Sequence, residues 1–153
     1  MPLIREHRKL PYTPEQIFDL VADVDSYPKF LPWVVATRVR SNSETEMVAD
    51  MVVGFKSLRE RFTSRVEKSR PNRIVVHYVD GPMRNLDNSW QISATEDGVS
   101  EVDFCVDFTF KNRVFEAMAG QYVDRAFRKL MGAFEARAEE LYGSSNSSAQ
   151  TVA

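Results

Sequence analysis

Residues 99–143 read VSEVDFCVDFTFKNRVFEAMAGQYVDRAFRKLMGAFEARAEELYG, a strand pattern followed at once by a helix pattern. In residues 99–110 apolar and polar side chains alternate, which is the period of a strand that is covered on one face. Residues 112–142 then repeat apolar side chains at helical spacing, from the N-cap candidate Asn112 to a stop at Gly143. At ~1.5 Å per residue this helix would be about 45 Å long, enough to cross a whole sheet. The stretch therefore predicts an antiparallel sheet packed against a long C-terminal helix.

The residues before this stretch predict the other elements. Residues 3–10 suit an edge strand, and Thr13, Pro14 and Gln16 form a helix start with a capping box. Turn residues then divide the chain near 41–43, 54–57, 70–72, 80–82 and 96–98, which is the spacing of an antiparallel meander. We expect an α+β protein with the helix-grip fold, in which a curved antiparallel sheet of about seven strands wraps around the C-terminal helix. Two short helices follow the first strand, and the curled sheet leaves room for a cavity beneath the long helix.

Length and composition favour one globular domain. The chain has 153 residues, 43% of them hydrophobic and 27% charged, so we expect a single ligand-binding domain over residues 1–142 and a disordered tail over 143–153. The net charge of −2 gives no strong attraction to nucleic acid, and no DNA partner is expected. No apolar run has the length of a membrane span or a signal peptide. We therefore expect a cytoplasmic protein, with peripheral contact at the inner membrane as the alternative.

Residues 27–33, YPKFLPW, are too apolar for an ordinary surface loop. Their two prolines forbid a long regular element, yet Tyr27, Phe30, Leu31 and Trp33 carry a large apolar surface. Such a segment must pack on a core, cover a cavity, or contact a membrane or a partner.

Neither a catalytic nor a metal site is visible in the sequence. The two histidines, His7 and His77, lie on separate strands without metal-ligand spacing, and Cys105 points outward among acids that would raise a thiol pKa. Polar residues at apolar positions are a better signal. Glu60 and Ser64 share a strand face with apolar residues, and Asn88 interrupts another. They indicate either a pocket with a few polar contacts or local pairing, the latter favoured for Asn88.

The chain resembles the coenzyme Q-binding protein family of the START-like polyketide cyclase and lipid transport superfamily. The resemblance covers residues 3–142 and rests on PYTP at 11–14, YPKFLPW at 27–33, Gly81 with Pro82, and Trp90. It implies the START-like helix-grip fold, a tunnel for a polyprenyl quinone, and a supporting role in respiration rather than catalysis. Val34 and Met83 replace the cysteine and phenylalanine that family members commonly have, and both remain apolar.

Our main hypothesis is that the chain binds ubiquinone as a ligand, without a catalytic cofactor, and supports its delivery, its use in respiratory electron transport and its biosynthesis. The residues expected to line the cavity are Phe18, Phe30, Leu31, Trp33, Glu60, Phe62, Ser64, Trp90, Phe104, Phe108, Met118, Tyr122 and Phe127. Tyr27, Pro28 and Pro32 are expected at the mouth, where the rest of the prenyl tail would leave toward a membrane surface.

Two further hypotheses stay open. A bacterial branch of the resembling family is described as a toxin that blocks ribosomal subunit association, and Arg59, Arg61, Arg65 and the basic face of the long helix would carry that role here. A cyclase or aromatase would need an acid–base pair in the cavity, for which Glu60 is the visible candidate.

Overall fold

A computed structural model describes residues 3–55 and 58–143. The elements follow in the order β1 (Leu3–Leu10), α1 (Pro14–Ala22), a 3₁₀ helix (Val24–Lys29), β2 (Val34–Asn42), β3 (Glu46–Phe55), β4 (Leu58–Ser69), β5 (Arg73–Asp80), β6 (Met83–Glu96), β7 (Val99–Phe110) and α2 (Arg113–Tyr142). The expected tail lies, after Gly143, outside the described residues.

The described strands form one antiparallel sheet. Each strand pairs with the strand next to it in sequence, except that β1 pairs with β7. The sheet has seven strands in the order β1-β7-β6-β5-β4-β3-β2, so the meander β2–β7 is closed at one edge by β1, which pairs with β7. The inner face of β7 carries Val102, Phe104, Val106 and Phe108, all buried. Because α1 and α2 pack against the sheet, α2 on β1 and β7 and α1 on β5 and β6, the helix-grip prediction is confirmed.

The first short helix begins where the sequence predicts. Thr13 Oγ1 accepts a hydrogen bond from Gln16 N at 3.1 Å, and Gln16 Oε1 accepts one from Thr13 N at 2.9 Å, which is a complete capping box. Residues 27–33 divide into the end of the 3₁₀ helix and a short connection to β2. The long helix starts after Asn112, whose side-chain oxygen accepts from Val114 N at 2.7 Å.

Several strands extend further than the turn residues suggest. Ser41 and Asn42 pair within β2, and Gly54 and Phe55 pair within β3, so these residues were wrongly assigned to turns. The turn at Gly81 is as expected: Gly81 has φ +147°, and a Cβ there would lie 2.6 Å from Phe62 Cβ. Only glycine combines this backbone conformation with so close an approach to β4.

Candidate functional site

A cavity of about 190 Å³ lies between α2 and the inner face of β3–β6. A cavity of about 150 Å³ lined by apolar residues holds benzene, so this space suits a ligand group of roughly one substituted ring. Its wall is almost entirely apolar. The lining residues come from every layer of the fold: Val21, Val24, Tyr27, Leu31, Trp33, Val34, Met47, Ala49, Met51, Val53, Gly54, Glu60, Phe62, Ser64, Val66, Ile74, Val76, Pro82, Met83, Leu86, Asn88, Trp90, Phe110, Tyr122, Val123, Ala126, Phe127, Leu130 and Phe134.

The exposure of the lining residues shows which end of the cavity is open. Along β4, Glu60 and Phe62 are half-buried, whereas Ser64 and Val66 are buried. The neighbouring β3 has the same gradient, from half-buried Val53 to buried Met47. The open end therefore lies toward the β3–β4 hairpin and the Gly81 turn.

Aromatic rings close the other end. The Trp90 ring centroid lies 4.8 Å from that of Phe104 and 5.1 Å from that of Phe134. Such edge-to-face contacts are favourable beyond their buried area, and these rings close this end of the cavity.

Nine of the residues that we expected in the cavity or at its mouth line the cavity wall in the structure. They are Leu31, Trp33, Glu60, Phe62, Ser64, Trp90, Tyr122 and Phe127 from the cavity set, and Tyr27 from the mouth set. The side chain of Met118 lies outside the part of the chain that is described. Val34 and Met83, where this sequence departs from the resembling family, also line the cavity.

Four residues expected in the lining lie behind it, so their assignment was wrong. Phe104 packs behind Trp90, and Phe108 lies against Phe110 and Phe127 at centroid distances of 5.9 Å and 5.1 Å. Phe18 is buried in α1. Phe30 lies between Phe134, at 5.2 Å, and the guanidinium of Arg137, at 5.4 Å. Phe30, Phe104 and Phe108 thus meet other rings instead of the cavity.

Residues 27–33 do not act together as a mouth. Tyr27 is turned inward: its hydroxyl donates to the Val21 carbonyl, and burial raises its pKa well above the ordinary range. Pro28 lies within the 3₁₀ helix and Pro32 is exposed, and neither lines the cavity. Trp33 is the residue of this segment near the open end, since its carbonyl accepts from Gly54 N at 2.9 Å.

Most polar groups of the wall are paired within the protein. Asn88 Nδ2 donates to the Cys105 carbonyl at 2.9 Å, and Asn88 Oδ1 accepts from Trp90 Nε1 at 3.2 Å. The local-pairing interpretation of Asn88 is thus confirmed. Tyr78, beside the wall, accepts from Met83 N at 2.9 Å; burial raises the pKa of Tyr78, against the effect of this hydrogen bond.

Ser64 is different. It is 7% exposed, and its Oγ is buried without a hydrogen-bond partner among the described residues. An unsatisfied buried hydroxyl costs about 1–3 kcal/mol and calls for an explanation. Glu60 is half-buried nearer the open end, and among the described lining residues it is the one charged side chain.

The parts of the wall that β3 and the C-terminal half of α2 contribute were not predicted from the sequence. Met47, Ala49, Met51 and Val53 alternate along β3 and pair in register with β4. Because cross-strand partners share a sheet face, this alternation could have assigned them to the face of Glu60 and Ser64. Leu130 and Phe134 continue the helical stripe of Phe127.

The outer face of the sheet is polar and largely paired. Arg65 lies 3.3 Å from Glu46 and 3.1 Å from Glu67. Arg59 and Arg61 also lie on this strand and are exposed to solvent. His7 lies 2.6 Å from Asp103, and His77 lies 3.2 Å from Glu67. No group of residues suited to hold a metal ion occurs in residues 3–55 and 58–143. Over the same residues, no helix is both long and apolar enough to span a membrane.

The family described as polyketide cyclase / dehydrase and lipid transport matches residues 10–135. The chain belongs to this family. Among its relatives is the ribosome association toxin RatA of Rickettsia prowazekii, which is 35% identical over 141 residues, covering 89% of this chain and 96% of the relative. Another is the mitochondrial coenzyme Q-binding protein COQ10 homolog B of Xenopus laevis, which is 31% identical over 142 residues, covering 90% of this chain and 58% of the relative.

Solved structures agree with the fold. An 18 kDa protein from Caulobacter crescentus is 40% identical with a TM-score of 0.71, covering 94% of this chain and 99% of that one. A START superfamily protein from Mycobacterium smegmatis has a TM-score of 0.76 at 17% identity, covering 91% of this chain and 98% of that one, which shows the fold alone. The chain thus combines a START-like fold with membership of the polyketide cyclase / dehydrase and lipid transport family.

Proposed function

We propose that the protein is a non-catalytic carrier that binds ubiquinone in the cavity beneath α2. The observation that carries the proposal is the cavity itself, about 190 Å³ in volume with an apolar wall. Burial of apolar ligand surface supplies ~0.8 kcal/mol per methylene group. The similarity to a protein named for coenzyme Q binding supports the choice of quinone.

The size and the open end of the cavity define how such a ligand would lie. A benzoquinone ring and at most the first isoprene unit fit within it. The remaining tail would leave between the β3–β4 hairpin and the Gly81 turn, past Trp33 and Pro82. This route would bring the carrier's open end to a membrane surface, from which the quinone is taken.

Both tryptophans of the chain line the cavity, which makes binding directly measurable. A quinone ring in the cavity would quench their fluorescence, and titration with decylubiquinone should give saturable quenching at a ratio of one to one. Mass spectrometry of organic extracts from gently purified protein should detect the native ligand. Linear, non-saturating quenching together with quinone-free extracts would contradict the proposal.

A second candidate is ribosome binding, favoured by the 35% identity to a protein named as a ribosome association toxin. The exposed Arg59 and Arg61 would supply phosphate contacts. Sucrose-gradient sedimentation of ribosomes with added protein tests it. If the wild-type protein reduces the 70S peak and the double variant Arg59→Glu, Arg61→Glu does not, the result would support this function. An unchanged profile with the wild-type protein would exclude it.

A cyclase function has weaker support. Catalysis of that kind needs a general acid and a general base within reach of the substrate. Among the described lining residues Glu60 is the one carboxylate, and neither a histidine nor a cysteine joins it.

A further inference from the structure

The polar side chains of the cavity wall differ in whether they already form hydrogen bonds within the protein. Asn88 uses both ends of its amide within the protein, the indole N–H of Trp90 is donated to Asn88, and the Tyr27 hydroxyl is donated to Val21. Ser64 Oγ is buried and has no partner among the described residues. Of these four side chains, Ser64 is the one whose polar group makes no hydrogen bond within the described part of the chain, so its hydroxyl is available to something inside the cavity.

Ser64 also lies at a defined depth. On β4 it stands between half-buried Phe62 and buried Val66, and across the sheet it pairs with Ala49 and Tyr78. A ligand group must therefore pass Glu60 and Phe62 to reach it. The Ser64 hydroxyl would therefore contact the part of the ligand that lies deepest in the cavity, and not the tail near the opening.

The charge of the wall restricts the ligand further. The described lining contains neither a lysine nor an arginine, and its one charged residue is the carboxylate of Glu60 near the open end. A ligand carboxylate or phosphate would be desolvated without a cation and would pass a like charge, which is unfavourable in an apolar cavity.

We propose that Ser64 is the specificity-determining residue of the cavity and selects a neutral inner group that carries an oxygen acceptor, such as a ring carbonyl or methoxy oxygen. Anionic lipids are excluded by the same wall. This inference rests on the proposed function, since it names the class of ligand that the carrier accepts.

The test compares three probes in the wild-type protein: decylubiquinone, decylbenzene, which lacks the oxygens, and palmitate, which is anionic. Affinities come from tryptophan quenching for the quinone and from its displacement for the other two. We expect decylubiquinone to bind about tenfold more tightly than decylbenzene, the effect of one hydrogen bond of about 1.4 kcal/mol. Palmitate should not displace the quinone.

The variant Ser64→Ala should lose that tenfold preference while its affinity for decylbenzene stays the same. Its melting temperature should equal or exceed that of the wild type, because the removed hydroxyl has no protein partner. The matched control is Ser100→Ala: Ser100 is also buried, but its Oγ donates to the Tyr12 carbonyl at 2.6 Å, away from the cavity. This control should melt at a lower temperature and keep the quinone preference.

The outcomes separate the inference from the function on which it rests. If decylubiquinone and decylbenzene bind equally to both the wild type and Ser64→Ala, the role of Ser64 is refuted while the hydrophobic carrier stands. Displacement of the quinone by palmitate in the wild-type protein refutes the selection against anions. Where the wild type excludes palmitate, Glu60→Lys should admit it. If none of the probes binds the wild-type protein, the carrier function itself fails.

Discussion

Asp50 shows at the residue scale how a buried charge can hold the cavity wall together. Its side chain lies on the outer face of β3 and is 6% exposed. Thr63 of β4 donates to it at 2.6 Å and Arg40 of β2 donates at 2.7 Å. The bond from Thr63 is the main reason why the pKa of Asp50 is lowered, with Arg40 adding to it against the effect of burial. One carboxylate thus joins the three strands at this edge of the sheet.

Replacing Asp50 by Asn should lower the free energy of unfolding at neutral pH and make it depend less steeply on pH in the acidic range. The folded pKa lies below the ordinary value of 3.8, so the ionised group stabilises the fold above that value, and this contribution is lost as the pH falls through the folded pKa. We expect the variant to lose about 1–3 kcal/mol at pH 7. Urea unfolding between pH 2.5 and 7 measures it, with exposed Asp97→Asn as the control. A variant as acid-sensitive as the wild type would contradict the assignment.

At the element scale, the long helix is fastened at its C-terminal end. The Tyr142 hydroxyl donates to the Gln16 carbonyl of α1 at 3.0 Å, and the Tyr12 hydroxyl donates to the Gly143 carbonyl at 3.1 Å. At the other end Arg113 and Val114 are exposed, Val114 to 67%. The cavity lies beneath the part of α2 that precedes these two hydrogen bonds. One of the two depends on α1, because Gln16 belongs to that helix.

Removing the cap of α1 should therefore weaken the whole domain. Thr13→Ala deletes the oxygen that accepts from Gln16 N, which typically costs about 1 kcal/mol. Thr13→Ser is the matched control, because it keeps the oxygen and the capping box. Urea unfolding monitored by circular dichroism measures both variants. Equal stability of the two would show that the cap contributes nothing.

At the scale of the whole molecule, one side of the interior is solid and the other is hollow. The side under β7 contains Phe104 and Phe108 packed against other rings, whereas the side under β3–β6 holds the cavity. A wall of this kind leaves half-buried apolar side chains facing the cavity, among them Met51, Val76 and Phe127. The fold thus gives up some of its own packing to keep room for a ligand.

Filling the cavity should raise stability and abolish binding. Ala126→Leu places three more carbons in the cavity from a helical position that tolerates leucine well. We expect a gain on the order of 1–2 kcal/mol and loss of the saturable quenching by decylubiquinone. Ala136→Leu, on the exposed side of the same helix, should change neither. Tight quinone binding by Ala126→Leu would mean that the ligand lies elsewhere.

Much of the site could be predicted because strand alternation assigns each residue to a face. Glu60, Phe62 and Ser64 fall on the inner face by counting along β4, and the structure places all of them on the cavity wall. Residues 27–33 could not be resolved in the same way. Tyr27 and Phe30 are three positions apart, yet Tyr27 lines the cavity and Phe30 lies behind it against Arg137, since the orientation of a non-repeating segment depends on what it packs against.

The sequence by itself determined the elements, the one-sided sheet and the long helix that covers it, because these follow from local periodicity and capping. Only the tertiary structure decided where the interior is hollow. Phe104, Phe108 and Phe110 share one face of β7, but of the three only Phe110 lines the cavity. Periodicity tells which way a side chain points; how far the sheet curls from α2, and hence whether another ring or open space meets that side chain, depends on contacts between residues distant in the chain.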